Sequence, residues 1–183
     1  MWILAAITVI ALIGVGGYNS LVRRRNRVDQ AYSTIEVQLV QRYDLIPKLV
    51  ETVKQYMGHE RGLLEDITRL RSEAMRASTP AEKISKDNQL TTALGQLNVT
   101  MENYPQLRAS ENFSQLQRAL NEVEEQLAAA RRSYNGQVTD YNNAVQSFPS
   151  SLIAGWTNFA PRQMFIADPK QLKDVDMKGL FKA

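Results

Sequence analysis

The chain has no cysteine and a single histidine, and not one charged side chain stands before Arg23. The first absence removes disulfides, thiolate metal sites and thiol catalysis together, and leaves the redox compartment open. The second limits metal chemistry. His59 is followed by Glu60, as at the start of a zinc-protease HExxH helix, but the position four after the histidine is Leu63. A di-iron bundle needs two Glu-x-x-His elements, and Tyr56 stands where this histidine would require glutamate. No glycine-rich phosphate loop or nucleophile elbow occurs, since Gly14-Val15-Gly16-Gly17 sits inside an apolar run. Carboxylate neighbours such as Glu124 and Glu125 point to different sides of a helix and do not converge on a substrate. The expectation is a protein that is not an enzyme, with no catalytic residue, cofactor, metal or small-molecule substrate.

Alternation with period two is also missing over any useful length, which removes support for a sheet. A spread of basic residues over the domain is missing too. The net charge is +3, but Arg23, Arg24, Arg25 and Arg27 supply four positive charges, leaving the remainder at −1. A nucleic-acid binder places Lys and Arg over a folded face. Here the excess is concentrated beside an apolar segment, and no nucleic-acid partner is expected.

That segment, residues 1–22, carries no charge and is long enough to cross the hydrocarbon core at about 1.5 Å per residue. A cleaved signal peptide competes, since Gly14, Gly16 and Gly17 resemble a processing site. That reading needs basic residues before the apolar run, and they follow it instead. The positive-inside rule then places the N-terminus outside and the remaining chain in the cytoplasm, anchored by a single pass in the cell (inner) membrane. Arg23, Arg24, Arg25 and Arg27 set topology and contact anionic lipid as a side effect. Tyr18, at the end of the run, is an interfacial anchor.

Beyond the anchor, apolar residues recur at steps of three and four: Val28, Tyr32, Ile35, Leu39, Ile46, Leu49, Val53, Tyr56, Leu63, Ile67 and Leu70. Nothing between Gly17 and Tyr43 signals a stop, so the anchor helix is able to continue into this first helix. Pro47 calls for a kink, or a restart capped by Asp44. Thr79-Pro80-Ala81-Glu82 is a capping box with proline at the first helical position, opening a second helix over Leu90, Leu94, Leu97, Met101 and Tyr104 that ends at Pro105. Ser110 or Asn112 opens a third, whose pattern runs from Phe113 through Leu116, Leu120, Val123, Leu127, Ala130, Tyr134, Val138, Tyr141 and Val145 to Phe148. Two successive steps of four around Tyr134 shift the heptad phase as a stutter would.

These patterns define an all-α fold. A transmembrane anchor (1–22) precedes an antiparallel long-helix bundle (23–160), made of three long helices with a short fourth or of four helices. A polar, partly disordered tail (161–183) follows. The C-terminal set Trp156, Phe159, Met164 and Phe165 folds onto the bundle, with membrane or partner docking as the alternative. Arg42 and Glu60 fall on the seam where apolar residues are expected, and buried charge has to be paired. The structural reading places charge beside a core gap near Pro47. The functional reading makes Arg42, Asp44, Pro47 and Glu60 a polar contact that fixes register or receives a partner. Tyr134 and Tyr141, each followed by asparagine, are core residues with polar tips.

The segment from Tyr18 to Glu60, YNSLVRRRNRVDQAYSTIEVQLVQRYDLIPKLVETVKQYMGHE, resembles the LemA family signature. Glu102 to Gln117, Arg131 to Asn142 and Phe148 to Ala154 agree with it in the right order. Lys48 and Tyr43 depart from the pattern, which weakens any ligand role for those two side chains. The resemblance implies a membrane helix with a short outside N-terminus and an all-helical domain. It brings no catalytic mechanism; some family members are associated with magnetosome membrane formation, and others look like neighbours of membrane proteases. The functional expectation is therefore a membrane-anchored scaffold that self-associates through helix packing. The alternative is an accessory or regulatory subunit of a membrane protease or another membrane enzyme. The partners expected are the lipid bilayer, further copies of the chain and, on the alternative reading, another membrane protein.

Overall fold

A computed structural model describes residues 1–165, the side chain of Ile10 excepted. It contains only helices among those residues: α1 (Trp2–Lys54), α2 (Arg61–Arg76), α3 (Pro80–Met101), α4 (Pro105–Arg108), α5 (Glu111–Gln146) and α6 (Ser150–Trp156). The fold is all-α, a long apolar helix followed by several that pack together. Most of the polar tail expected at 161–183 lies outside the described residues.

The apolar run and the first domain helix are one unbroken α1 of 53 residues. Its first stretch is unpacked: Trp2, Ile3, Leu4, Ile7, Leu12 and Ile13 are all exposed. From Leu21 onward the same helix buries Val28, Ile35, Leu39, Ile46 and Leu49 at helical spacing. Pro47 lies inside α1 and neither stops nor restarts it. An interior proline costs about 3 kcal/mol, whereas fully burying an aliphatic side chain is worth about 1.5–3 kcal/mol. Ile46, Leu49 and Val53, all buried around the proline, outweigh it.

The chain breaks instead at residues 55–60, around Gly58, whose helix penalty is about 1 kcal/mol with no side chain to bury in return. This break corrects the single seam expected from Val28 to Leu70. Met57 and Leu64 are buried in place of Tyr56 and Leu63, which lie in and shortly after the non-helical connection, while Ile67 and Leu70 are buried as the spacing predicts.

By internal contacts the described residues divide into two units, residues 1–49 with 111–164 and residues 50–110 with Phe165. In the first, α1 and α5 run antiparallel. Arg24 reaches Asp140, Tyr32 meets Tyr134 and Arg42 meets Glu124, so positions rise along one helix as they fall along the other. Buried on α5 are Phe113, Val123, Leu127, Ala130, Tyr134, Val138, Tyr141 and Val145, most of the period read from the sequence. Leu116 and Leu120 are half-exposed and Phe148 is exposed.

The second unit is built on the α2–α3 hairpin. The predicted Thr79 cap forms: Thr79 Oγ1 accepts from the Glu82 N–H at 3.2 Å, while Glu82 Oε2 accepts from the N–H of Ser78, one residue before the cap, at 3.2 Å. Lys86 Nζ spans the hairpin to Glu73 Oε2 at 2.6 Å, and Arg69 holds Glu73 Oε1 at 2.8 Å. The Lys86 ammonium, then Arg69, keep the Glu73 carboxyl below its ordinary range. Pro105 does more than end α3; it starts the single turn α4, which buries Leu107.

Candidate functional site: the collar after the apolar stretch of α1

The chemistry-bearing residues of the first unit gather where α1 changes from unpacked apolar helix to buried domain helix. Arg23, Arg25 and Arg27 are exposed there and Arg24 is half-buried. Arg24 Nη1 donates to the Asp140 carbonyl at 3.4 Å. Gly17, Ser20, Leu21 and Arg24 of α1 border a cleft of about 390 Å³ with Asp140, Asn143, Ala144 and Ser147 of α5 and Ser150 of α6. The Ser150 hydroxyl ties α6 to the end of α5, donating toward the Ala144 carbonyl at 2.6 Å and the Ser147 carbonyl at 2.9 Å.

After α6 the chain reverses at Asn158, whose φ of 56° lies in the left-handed region that asparagine tolerates better than most residues. Residues 159–163 then form a strap over α1 and α5. Phe159 packs edge-on against Tyr18 at 5.8 Å between ring centres, and the Arg25 guanidinium lies 5.1 Å over its face. Tyr141 Oη donates to the Ala160 carbonyl at 3.0 Å and Tyr134 Oη to the Gln163 carbonyl at 2.9 Å. Between them, Asn142 takes both backbone groups of Arg162: its Oδ1 accepts from the N–H at 2.8 Å and its Nδ2 donates to the carbonyl at 2.9 Å. The Arg162 side chain lies 3.4 Å from Asp29 Oδ1.

The seven-residue spacing of Tyr134 and Tyr141 places both phenols on one helix face. Burial raises the pKa of each above its ordinary value, so both hydroxyls keep the proton they donate. The strap partners Asn142 and Arg162 escaped the sequence reading. The Tyr-Asn dipeptides were the available signal, without a way to say what they hold.

The C-terminal aromatic set divides. Phe159 and Phe165 are buried and Met164 half-buried, but Trp156 is 91% exposed. Tyr18, read as an interfacial anchor, stands at the end of the unpacked part of α1, where it holds Phe159.

Of the polar set, Arg42 is fully buried with its Nε 2.6 Å from Glu124 Oε1. Asp44 and Pro47 are exposed on α1. Glu60 is half-buried in the residue before α2, where its side chain makes no cap. Asp87 on α3 is a second fully buried charge that the periodicity did not mark. Among the described residues no three His, Asp or Glu side chains gather as a metal site. In the second unit, Val50, Lys54, Arg61, Leu64, Thr68, Ser72 and Arg76 with Glu65, Arg69 and Glu73 line an open groove of about 810 Å³.

An all-α domain continuous with a helix long and apolar enough to cross a membrane, none of whose apolar window is buried, defines a class of membrane-anchorable helical bundles. The family model described as LemA family matches residues 31–178, and the chain belongs to that family. It is 25% identical to Protein LemA of Metamycoplasma hominis over 98% of this chain and 83% of that protein. It is also 21% identical to Magnetosome protein MamQ 2 of Paramagnetospirillum magneticum, over 92% of this chain and 72% of the relative. Magnetosome protein MamQ of Magnetospirillum gryphiswaldense is 21% identical over 91% and 73%.

Proposed function

We propose that the chain is a non-enzymatic membrane scaffold. α1 crosses the cell (inner) membrane once, with its Trp2 end outside and the helical units in the cytoplasm, and copies associate with one another. The observation that carries this reading is the continuity of α1: exposed large apolar residues such as Trp2, Leu4, Leu12 and Val15 and buried domain residues from Leu21 on lie on one helix. A membrane covers the first part, and the rigid connection fixes how the domain is presented to its surroundings. The arginines at 23–27 favour the cytoplasmic side.

The seam residues Ile35, Leu39 and Ile46 are at most 1% exposed within a single chain, so association uses other surfaces. Val37 and Val40 on α1 are more than half exposed, and Gly14 and Gly16 have open space where a neighbouring helix would approach. In-membrane cross-linking of the full chain, followed by identification of what is captured, tests the reading. Multimers of the chain are expected. A monomer by light scattering at all practical concentrations, with nothing captured in membranes, refutes the scaffold.

Topology has its own test, because a protein without cysteine accepts single reporters cleanly. Gln117→Cys, on the exposed surface of α5, should resist an impermeant thiol reagent in intact cells and react after lysis.

The accessory-subunit reading rests on exposed Asp44 and on the open groove of the second unit. Under it, cross-linking captures a different membrane protein, and Asp44→Ala abolishes that capture while leaving helicity and melting temperature intact.

A further inference from the structure

α6 leaves large apolar side chains uncovered at the collar. Leu152 and Trp156, four residues apart on one face, are 61% and 91% exposed, and Phe148 just before the helix is 81% exposed. Large apolar side chains left exposed on one helix face of a soluble surface mark an interaction site.

The position of α6 identifies what covers it. Ser150, at its start, lines the cleft at the level of Ser20 to Arg24. One turn on, Ile153 Cδ1 lies directly against Gly17, in space a Cβ would fill. By Phe159 the chain is back at the level of Tyr18 and Arg25. Residues 153–157 are therefore the tip of this unit, reaching along α1 toward its apolar end.

Arg23, the first charged residue, belongs at headgroup level. Gly17 precedes it by six residues, about 9 Å along the axis at ~1.5 Å per residue. That matches the depth of roughly 5–10 Å at which interfacial helices bury their apolar faces. Tryptophan is the side chain enriched at this level, apolar in body with one N–H for the headgroups.

We propose that α6 is a second, interfacial membrane contact: Trp156, Leu152 and Phe148 enter the boundary between headgroups and acyl chains beside the anchor. This rests on α1 spanning the bilayer. The surface adjoins that anchor through Ile153 and Gly17, and exposed Arg23, Arg25 and Arg27 follow on α1 within three turns, so the favoured bilayer carries anionic lipid. Ile153 and Ser150 fasten the contact to α1 and α5, and the strap fastens its far end. Two attachments at one level fix the rotation of α1 about its axis and thereby the face of the domain turned toward the membrane.

The two tryptophans, Trp2 and Trp156, separate this proposal from the reading beneath it. The full chain is reconstituted in phosphatidylcholine–phosphatidylglycerol vesicles as Trp2→Phe, leaving Trp156 as reporter, and as Trp156→Phe, leaving Trp2. Trp156 emission should shift to the blue, lose most of its quenching by aqueous iodide, and be quenched by lipids brominated high on the acyl chain. Iodide quenching of Trp156 without lipid quenching, while Trp2 is quenched by brominated lipid, overturns the α6 contact and leaves the anchor standing. Protection of Trp156 from both quenchers that disappears when protein is diluted into more lipid overturns it in favour of a second copy. If neither tryptophan meets brominated lipid, the anchoring reading falls and this proposal with it.

Discussion

Asn142→Ala tests whether the strap is a built element. Asn142 makes two hydrogen bonds to the backbone of Arg162, at 2.8 and 2.9 Å, across 20 residues of sequence. Each is worth about 0.5–1.5 kcal/mol net, and both are solvent-accessible, so the pair contributes about 1–2 kcal/mol to holding the strap. The loss falls on local opening and not on the helices, because Asn142 is only half-buried and its truncation leaves no cavity in the core of α5. A change of one to two kcal/mol multiplies the open population by about 5–30. Hydrogen exchange reads this directly, since the Arg162 N–H is itself one of the two donors.

Exchange in the stretch 159–163 should accelerate by that factor while amides in the middle of α5 stay unchanged. Asn142→Asp, which keeps the acceptor for the Arg162 N–H and loses the donor, should fall between the two. Unaltered exchange at 159–163 would refute the assignment of the strap to Asn142. Equal acceleration throughout α5 would show that the residue supports the whole unit.

Replacing Glu124 by leucine deprives the buried Arg42 guanidinium of its carboxylate and should cost about 2–3 kcal/mol, below the largest values for such pairs because Glu124 is 34% exposed. Arg42→Met with Glu124→Leu should recover most of that in denaturant melts, and a double variant no more stable than the single one would contradict the pairing. Thr79→Ala removes the cap of α3 and should cost about 1 kcal/mol in thermal unfolding. Alkaline pH should destabilise the first unit. Burial, then Glu36, raises the Tyr32 pKa to about 12, and burial raises Tyr134 and Tyr141 above their ordinary value of 10.0. Because the folded state favours the neutral phenols, their contribution is complete below about pH 10 and lost as pH rises toward about 12. Tyr32→Phe should flatten that loss in circular-dichroism melts.

The sequence by itself determined the local properties of this protein. The uncharged run and the arginines after it marked a candidate anchor. Steps of three and four marked α1, α3 and α5 as helices, and a four-residue capping box set the start of α3 correctly. Each of these is decided by residues within about one or two turns of one another, where side-chain spacing alone selects the conformation.

What only the tertiary structure decided joins residues distant in the chain. Pro47 called for a kink or a restart of α1, but burial around it outweighs its local cost, the helix runs through it, and the chain turns around Gly58 instead. Glu124 meets Arg42 across more than eighty positions, and Asn142 holds a backbone that carries no side-chain pattern at all. Periodicity cannot register either, since it records which face of a helix is apolar and not what that face meets. Trp156 makes the same point in reverse: its composition fits a core as well as a membrane surface. Only the fold, which leaves it 91% exposed at the end of α6, removes it from the core.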